Sequence, residues 1–169
     1  IDQKIRVSNY IDRMFAKYAP APFLSVVIED CISNGRDYYD AGPRYNTNYI
    51  QCCGLGTVTD SLAALKKHVI EDKRFTMEAV LNAVSKNFEG EEFMRQTIMN
   101  KTPFFGNDDD YADDIAVKVY DDLVGLIDGQ PNIKGGKYHL NMLSTTCHVY
   151  FGKVMGATPN GRLAGKSIS

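Results

Sequence analysis

A chain of 169 residues with 44% hydrophobic and 24% charged residues has ordinary globular usage, which excludes disorder, collagen and low-complexity fibre. Nineteen Lys and Arg against twenty-one Asp and Glu leave a net charge of −2, so no electrostatic drive pulls the surface onto nucleic acid or an anionic membrane. No apolar run approaches the roughly 20 residues that span a bilayer, and Ile1 does not open a signal peptide.

The chain begins at Ile1 and stops at Gly165-Lys166-Ser167-Ile168-Ser169, inside a polar stretch. Both ends read as cuts in a longer polypeptide, whose other parts would cover hydrophobic faces left open here. Four cysteines are present, Cys31, Cys52, Cys53 and Cys147. They form no CxxC spacing, so a structural zinc site is not indicated. Bridging the adjacent Cys52 and Cys53 would be strained. Reduced, mostly buried thiols of a cytosolic protein are the expectation.

Residues 2–18 carry apolar Val7, Ile11, Met14, Phe15 and Tyr18 at helical spacing, and Pro20 and Pro22 end that helix. The run Phe23-Leu24-Ser25-Val26-Val27-Ile28 is too short to assign to strand or helix. Residues 34–56, rich in Gly, Asn, Asp and Tyr, read as an ordered loop system. A helix is predicted over 57–70, capped by Thr57 or Thr59, with Leu62, Leu65 and Val69 as its stripe. Thr76 caps the next helix, whose inner face is Met77, Leu81, Val84 and Phe88. A shorter helix covers 91–100, and Thr102-Pro103 interrupts the pattern. Asn107 opens a long helix with Ala112, Ile115, Ala116, Val119, Leu123 and Leu126 on one side. Gly135-Gly136 makes a turn, residues 138–151 read as a strand, and 156–169 as a Gly/Pro/Asn loop. Helices with one or two strands suit part of an α/β body.

Five features invite chemistry. The acidic run Asn107-Asp108-Asp109-Asp110 with Asp113-Asp114 offers carboxylates to a hard cation, but lacks the order of a calcium loop. It fits better as a helix N-terminus, where acids satisfy the dipole. Gly54-Leu55-Gly56 before a helix lacks the third glycine and the lysine of phosphate-binding loops, so a tight turn into the helix is the better reading. Cys147-His148 is a poor nucleophile–base pair, because adjacent strand residues point to opposite faces. The same parity places Ser144, Thr146, His148 and Tyr150 in one polar row, opposite Leu143, Thr145, Cys147, Val149 and Phe151. Such a row either faces a cavity and orients a small polar substrate, or bonds neighbouring backbone in the core. Arg44 and Arg162, each in a turn, could grip a carboxylate or tie down their own loops.

Five segments in order carry a resemblance. They are Cys31-Ile32-Ser33-Asn34-Gly35-Arg36-Asp37-Tyr38, Gly42-Pro43-Arg44-Tyr45-Asn46, Asp60-Ser61-Leu62-Ala63-Ala64-Leu65, Gly106-Asn107-Asp108-Asp109-Asp110-Tyr111-Ala112-Asp113, and Gly156-Ala157-Thr158-Pro159-Asn160-Gly161-Arg162-Leu163-Ala164-Gly165. Together they resemble the pyruvate formate-lyase (PFL) domain of glycyl radical enzymes over nearly the whole chain. Around residues 45–62 and 145–152 the wording is closest to the dehydratase-like branch, the trans-4-hydroxy-L-proline dehydratases in particular. Cys52-Cys53 departs from that pattern, where a small or aliphatic pair is expected.

The resemblance implies an α/β fold: a partial segment of a ten-stranded α/β barrel, mostly helical with one or two strands. Residues 1–169 would be an internal part of the PFL domain. The family's thiyl cysteine and radical glycine would lie outside this stretch, so no catalytic residue is assigned and the piece alone would be inert. No cofactor is bound and no metal site is expected; the glycyl radical of the parent would be installed by a radical S-adenosylmethionine activase. The parent would be an anaerobic, cytoplasmic lyase or dehydratase that works with a small hydroxylated substrate such as hydroxyproline. Ser144, Thr146, His148 and Tyr150, with Phe105 as a further pocket wall, are the residues expected to reach that substrate. Expected partners are the substrate, the activase and the rest of the parent chain, without nucleic acid or membrane; a homodimer stays open. Two alternatives also stay open: a formate C-acetyltransferase-type C–C lyase using coenzyme A, and a non-catalytic helical scaffold or interaction module.

Overall fold

The structure, a computed structural model, describes residues 1–143 and 145–169. Those residues divide into two units, Ile1–Gln51 with Leu123–Asn141, and Cys52–Asp122 with Met142–Ser169. The described chain is mostly helical, with a two-stranded parallel sheet.

In the first unit, α1 (Asp2–Tyr18) stops before Pro20 as the sequence predicts. Its apolar stripe has the right period but no buried residue: Val7, Ile11, Met14, Phe15 and Tyr18 all remain exposed. Pro22 opens the short α2 (Pro22–Ser25), because the first turn of a helix does not need the missing N–H. Helix α3 (Glu29–Asn34) closes on Gly35 in the left-handed conformation. The predicted loop system 34–56 conceals a 3-10 turn at Tyr38–Asp40 and the strand β1 (Asn48–Gln51). Asp37 organises this region: its carboxylate accepts from the Ala21 and Tyr39 N–H groups and from the Ser25 hydroxyl, at 2.9, 2.9 and 2.7 Å.

Strand β2 (Tyr138–Asn141) lies parallel to β1, with Asn48 opposite Tyr138 and Gln51 opposite Asn141. Tyr138 is buried and its hydroxyl donates to Asn9 Oδ1 at 2.9 Å. The turn before β2 is built on buried Asn132. Its carbonyl accepts from the Lys134 and Gly136 N–H groups at 3.0 and 2.8 Å, while its amide donates to the Asn46 carbonyl and to Asn48 Oδ1.

In the second unit, α4 (Leu55–Leu65) starts two residues before the predicted helix. Gly54, left-handed at φ 93°, occupies the cap position assigned to Thr57 or Thr59, and both threonines are buried inside the helix. The helix continues as a π-helical turn (Lys66–Glu71), then α5 (Met77–Ser85), α6 (Glu92–Lys101) and α7 (Asp110–Ile127) follow, the last of these running past Asp122 into the first unit. Thr76 caps α5, accepting from the Ala79 N–H at 3.1 Å. Ala64, Val80, Ala83, Phe88, Met94 and Ile98 form the buried core. Helix α7 begins three residues later than expected. Asp109, not Asn107, serves its first turn by accepting from the Tyr111 N–H at 3.0 Å, and the Asn107 amide turns back to the Phe104 carbonyl.

The largest correction concerns residues 138–151. Only the first four form a strand; Thr145 and Thr146 lead into helix α8 (Cys147–Val154). The β-branched and aromatic composition favours a strand locally, but tertiary packing overrides it. The buried Gly152 lets the backbone of Lys166 and Ser167 lie directly against α8, and the Ile168 N–H donates to the His148 carbonyl at 3.2 Å. A side chain here would be incompatible with that docking.

His68 in the π-helical turn is 1% exposed. Thr102 spends its hydroxyl hydrogen on the Ile98 carbonyl at 2.6 Å, so it accepts from His68 Nε2–H at 3.0 Å. His68 Nδ1 has no hydrogen-bond partner among the described residues. The ring is therefore held neutral, and burial pushes its pKa below the ordinary value. On unfolding it regains an ordinary pKa of about 6.5. The unfolded state then binds the extra proton between the two values, so this contribution is complete above about pH 6.5 and is lost as pH falls below it. We expect thermal stability to decline more steeply below about pH 6.5 in the native protein than in a His68→Gln variant; equal slopes would refute the assignment.

Candidate functional site

Helix α4 begins with a glycine-flanked turn. Gly54 and Gly56 are close-packed: a Cβ on Gly56 would meet Ser169 Oγ at 2.9 Å, and one on Gly54 would meet Ile168 at 3.2 Å. Ser169 is clasped to the same turn. Its carbonyl accepts from the Thr57 N–H at 3.0 Å, and its N–H donates to Thr57 Oγ1 at 2.9 Å. The Gly-Leu-Gly motif is thus a tight turn into a helix, packed by the 167–169 segment.

Beside this turn lies a cleft of about 270 Å³. Cys52, Leu55 and Asp60 form its side nearest α4, and Phe105, Met142, His148 and Ser169 complete it. Leu55, Phe105 and Met142 supply apolar surface; Asp60 and His148 supply ionisable groups. The Asp60 carboxylate, one helical turn beyond Gly56, accepts from the Phe105 N–H at 2.8 Å. Burial raises the Asp60 pKa above the usual carboxylate value, with the Phe105 N–H acting against that shift. Burial, and then the neighbouring Cys53, raise that of the Cys52 thiol, which disfavours the reactive thiolate. Such a mix of apolar wall and a few convergent polar groups is the usual construction of a small-molecule pocket.

Two of the substrate-facing residues expected from sequence, Phe105 and His148, meet in this cleft. Strand parity does not hold for His148 and Tyr150 of the expected polar row, because α8 is helical. Positions 148 and 150 fall on opposite sides of a helix, about 200° apart at 3.6 residues per turn. His148 is half-buried in the cleft, whereas Tyr150 is exposed and stacks its ring under Lys153 Nζ at 5.6 Å. Thr146 is exposed at the start of α8, outside the cleft lining. Ser144 lies outside the described residues. Sequence reasoning missed Cys52 and Asp60. The available signal was the four-residue spacing from Gly56 to Asp60, which puts an acid on the same helix face as the close-packed glycine.

The other candidates have structural roles. Arg44 pairs with Asp30, its side-chain nitrogen 2.9 Å from Oδ1, and its N–H donates to Oδ2 at 3.1 Å. The Arg162 guanidinium ties its own loop, donating to Thr158 Oγ1 and to the carbonyls of Gly156, Leu163 and Lys166. All four cysteines are free; Cys31 is buried, but Cys147 is exposed, against the expectation of mostly buried thiols. Among the described residues, no group of three or more His, Cys, Asp and Glu could hold a metal ion, and no helix is long and apolar enough to cross a membrane.

Comparison with known proteins adds the lineage. Residues 1–152 match the Pyruvate formate lyase-like family. The chain is 48% identical over 169 residues to trans-4-hydroxy-L-proline dehydratase of Clostridioides difficile, covering 100% of this chain and 21% of that protein. The crystal structure of hydroxyproline dehydratase from Clostridioides difficile with trans-4-hydroxy-L-proline bound superposes with a TM-score of 0.94 at 48% identity, covering 99% of this chain and 21% of that one. A glycyl radical enzyme from Archaeoglobus fulgidus superposes with a TM-score of 0.89 at 33% identity, over 98% of this chain and 21% of the other. The chain thus spans about a fifth of the length of the relatives it matches. With five ordered motifs and this agreement in sequence and backbone, the chain belongs to the pyruvate formate lyase-like family of glycyl radical enzymes.

Proposed function

We propose that this chain is an internal part of a glycyl radical dehydratase, a C–O lyase for a small hydroxylated substrate such as trans-4-hydroxy-L-proline. The cleft beside α4 would be one wall of its substrate cavity. The observation that carries this reading is the convergence of Phe105 and His148, from separate elements, on one cleft with Asp60. Similarity over the whole chain to a hydroxyproline dehydratase supports the substrate class.

The chain would contribute two strands and outer helices to a ten-stranded barrel. The exposed apolar stripe of α1, together with Phe23 and Val27, which are 90% and 75% exposed, supports further packing partners from the parent chain. Hydrogen-atom abstraction in the parent would rest on a thiyl cysteine and a radical glycine outside this chain, the radical installed by a radical S-adenosylmethionine activase in an anaerobic cytoplasm. This chain's residues prepare the cavity. Leu55, Phe105 and Met142 exclude water, which protects a reactive carbon centre and strengthens polar contacts inside. Their walls also hold the substrate carbon close to its hydrogen-atom acceptor, where misplacement is costly. His148 offers an imidazole nitrogen to a substrate hydroxyl at the cavity edge.

The test is to activate the full-length parent anaerobically with its activase and S-adenosylmethionine, then add trans-4-hydroxy-L-proline. A glycyl radical signal in electron paramagnetic resonance and a product lighter by one water are expected. A radical without water loss from this substrate would refute hydroxyproline as the substrate, and water loss from none of a panel of small hydroxylated compounds would refute the dehydratase assignment.

A further inference from the structure

We propose that Asp60 is a positioning residue that fixes Phe105 as a wall of the cleft and thereby sets how tightly a small substrate is held. This rests on the reading of the cleft as part of the substrate cavity, and goes beyond it in naming the residue that shapes it.

The argument starts from how Phe105 is held. Phe105 is 42% exposed and lies outside the buried core cluster, so core packing does not hold it. The loop between α6 and α7 is anchored at its α6 end and closed on itself around Phe105. Thr102 is tied to His68 and to the Ile98 carbonyl, and the Asn107 amide donates to the Phe104 carbonyl. Among the described residues, the Phe105 backbone makes one hydrogen bond, its N–H to Asp60 Oδ1 at 2.8 Å. Gly106 follows in the left-handed conformation at φ 89°, inside the turn that the Asn107 amide closes on the Phe104 carbonyl, and the Asp60 bond ties that turn to α4.

Asp60 sits on a rigid support. It lies in α4, between the buried Thr59 and Ala63, and its carboxylate is half-buried at the cleft. Burying a carboxylate there costs free energy, and the Phe105 N–H donates to it. A charge-assisted bond from a rigid helix to a loop backbone is directional, so it fixes the loop in one place. The consequence for function is geometric. Phe105 reaches substrate, Asp60 acts through it, and a displaced ring would enlarge the cleft and loosen the bound molecule.

The experiment uses the activated full-length parent with trans-4-hydroxy-L-proline as probe. Asp60→Ala is expected to raise KM about tenfold with kcat within about threefold, and to speed hydrogen exchange at the Phe105 amide. Asp60→Ser, too short to reach that amide, serves as a second bond-deleting variant should Asp60→Ala fail to fold. Asp60→Asn keeps an oxygen acceptor in the same place, and should leave KM within about threefold and the amide protected. Phe105→Ala should raise KM by itself, and adding Asp60→Ala to it should change KM by less than about twofold, because the two act as a unit. Equal effects of Asp60→Ala with and without Phe105 would overturn the proposal while sparing the cavity reading, as would an Asp60→Asn variant as impaired as the alanine. If Phe105→Ala leaves KM unchanged, the cavity reading falls and the proposal with it.

Discussion

Replacing Gly152 with alanine is expected to cost about 3 kcal/mol, the upper end of overpacking penalties, and to abolish turnover by the parent. The expectation follows from what surrounds Gly152. A Cβ there would overlap the Lys166 carbonyl oxygen and approach Ser167 Cα at 2.5 Å. Both obstacles are backbone, so no rotamer change relieves them. The clash can be removed only by lifting the 165–168 segment off α8. That lift would break the Ile168 N–H bond to the His148 carbonyl and the Gly165 N–H bond to the Met155 carbonyl. It would also release Ser169 from Thr57, and so change two sides of the cleft at once. Thermal unfolding and steady-state kinetics on Gly152→Ala would check this. A variant of native stability and activity would show that the segment does not dock on α8 as described.

Asn132→Ala is the second large effect, and it concerns the sheet rather than the cleft. Asn132 is 8% exposed and uses both ends of its amide. Removing it leaves the Asn46 carbonyl and the Lys134 and Gly136 N–H groups without these partners. Leaving buried polar groups unpaired costs about 1–3 kcal/mol each, and partial access of water to the turn brings the expected total to about 2–4 kcal/mol. The loss should be local first. Amides of β1 and β2 should exchange faster, since Asn132 ties the approach to β1 to the turn that leads into β2. Gly136 has the same sensitivity for a different reason, because a Cβ on it would overlap the Asn46 carbonyl. Unchanged exchange protection in Asn132→Ala would refute the role of this residue as the joint of the turn.

The parts legible in sequence were those fixed by local rules. Proline set the end of α1, Thr76 capped α5, and apolar periodicity located α1 and α4 to α7, whereas the start of α2 at Pro22 was not read from the sequence. What was not legible depended on distant backbone. Strand β1 is four residues long and sits inside a Gly/Asn/Tyr-rich stretch; its pairing with β2, 90 positions later in register, leaves no local signal. Helix α8 is rich in Val, Tyr and Phe, which favour strands, and the backbone of Lys166 and Ser167 that packs against its Gly152 lies beyond any local sequence window. That error carried into the site. A strand would align His148 with Tyr150, whereas the helix separates them, so His148 reached the cleft for a reason unrelated to the parity argument. Phe105 was correctly located in the loop before α7, but its partner Asp60 was hidden inside a helix that read as structural. Cap positions show the same limit at smaller scale: Gly54 rather than a threonine begins α4, because packing against Ile168 and Ser169 selects a glycine.

The most direct measurement is a crystal structure of the full-length parent with trans-4-hydroxy-L-proline bound. Contact of the substrate with Phe105 or His148, within ordinary van der Waals or hydrogen-bond distance, is the expected result. A substrate seated elsewhere, with the cleft beside α4 walled off from it, would contradict the assignment of these residues to the cavity.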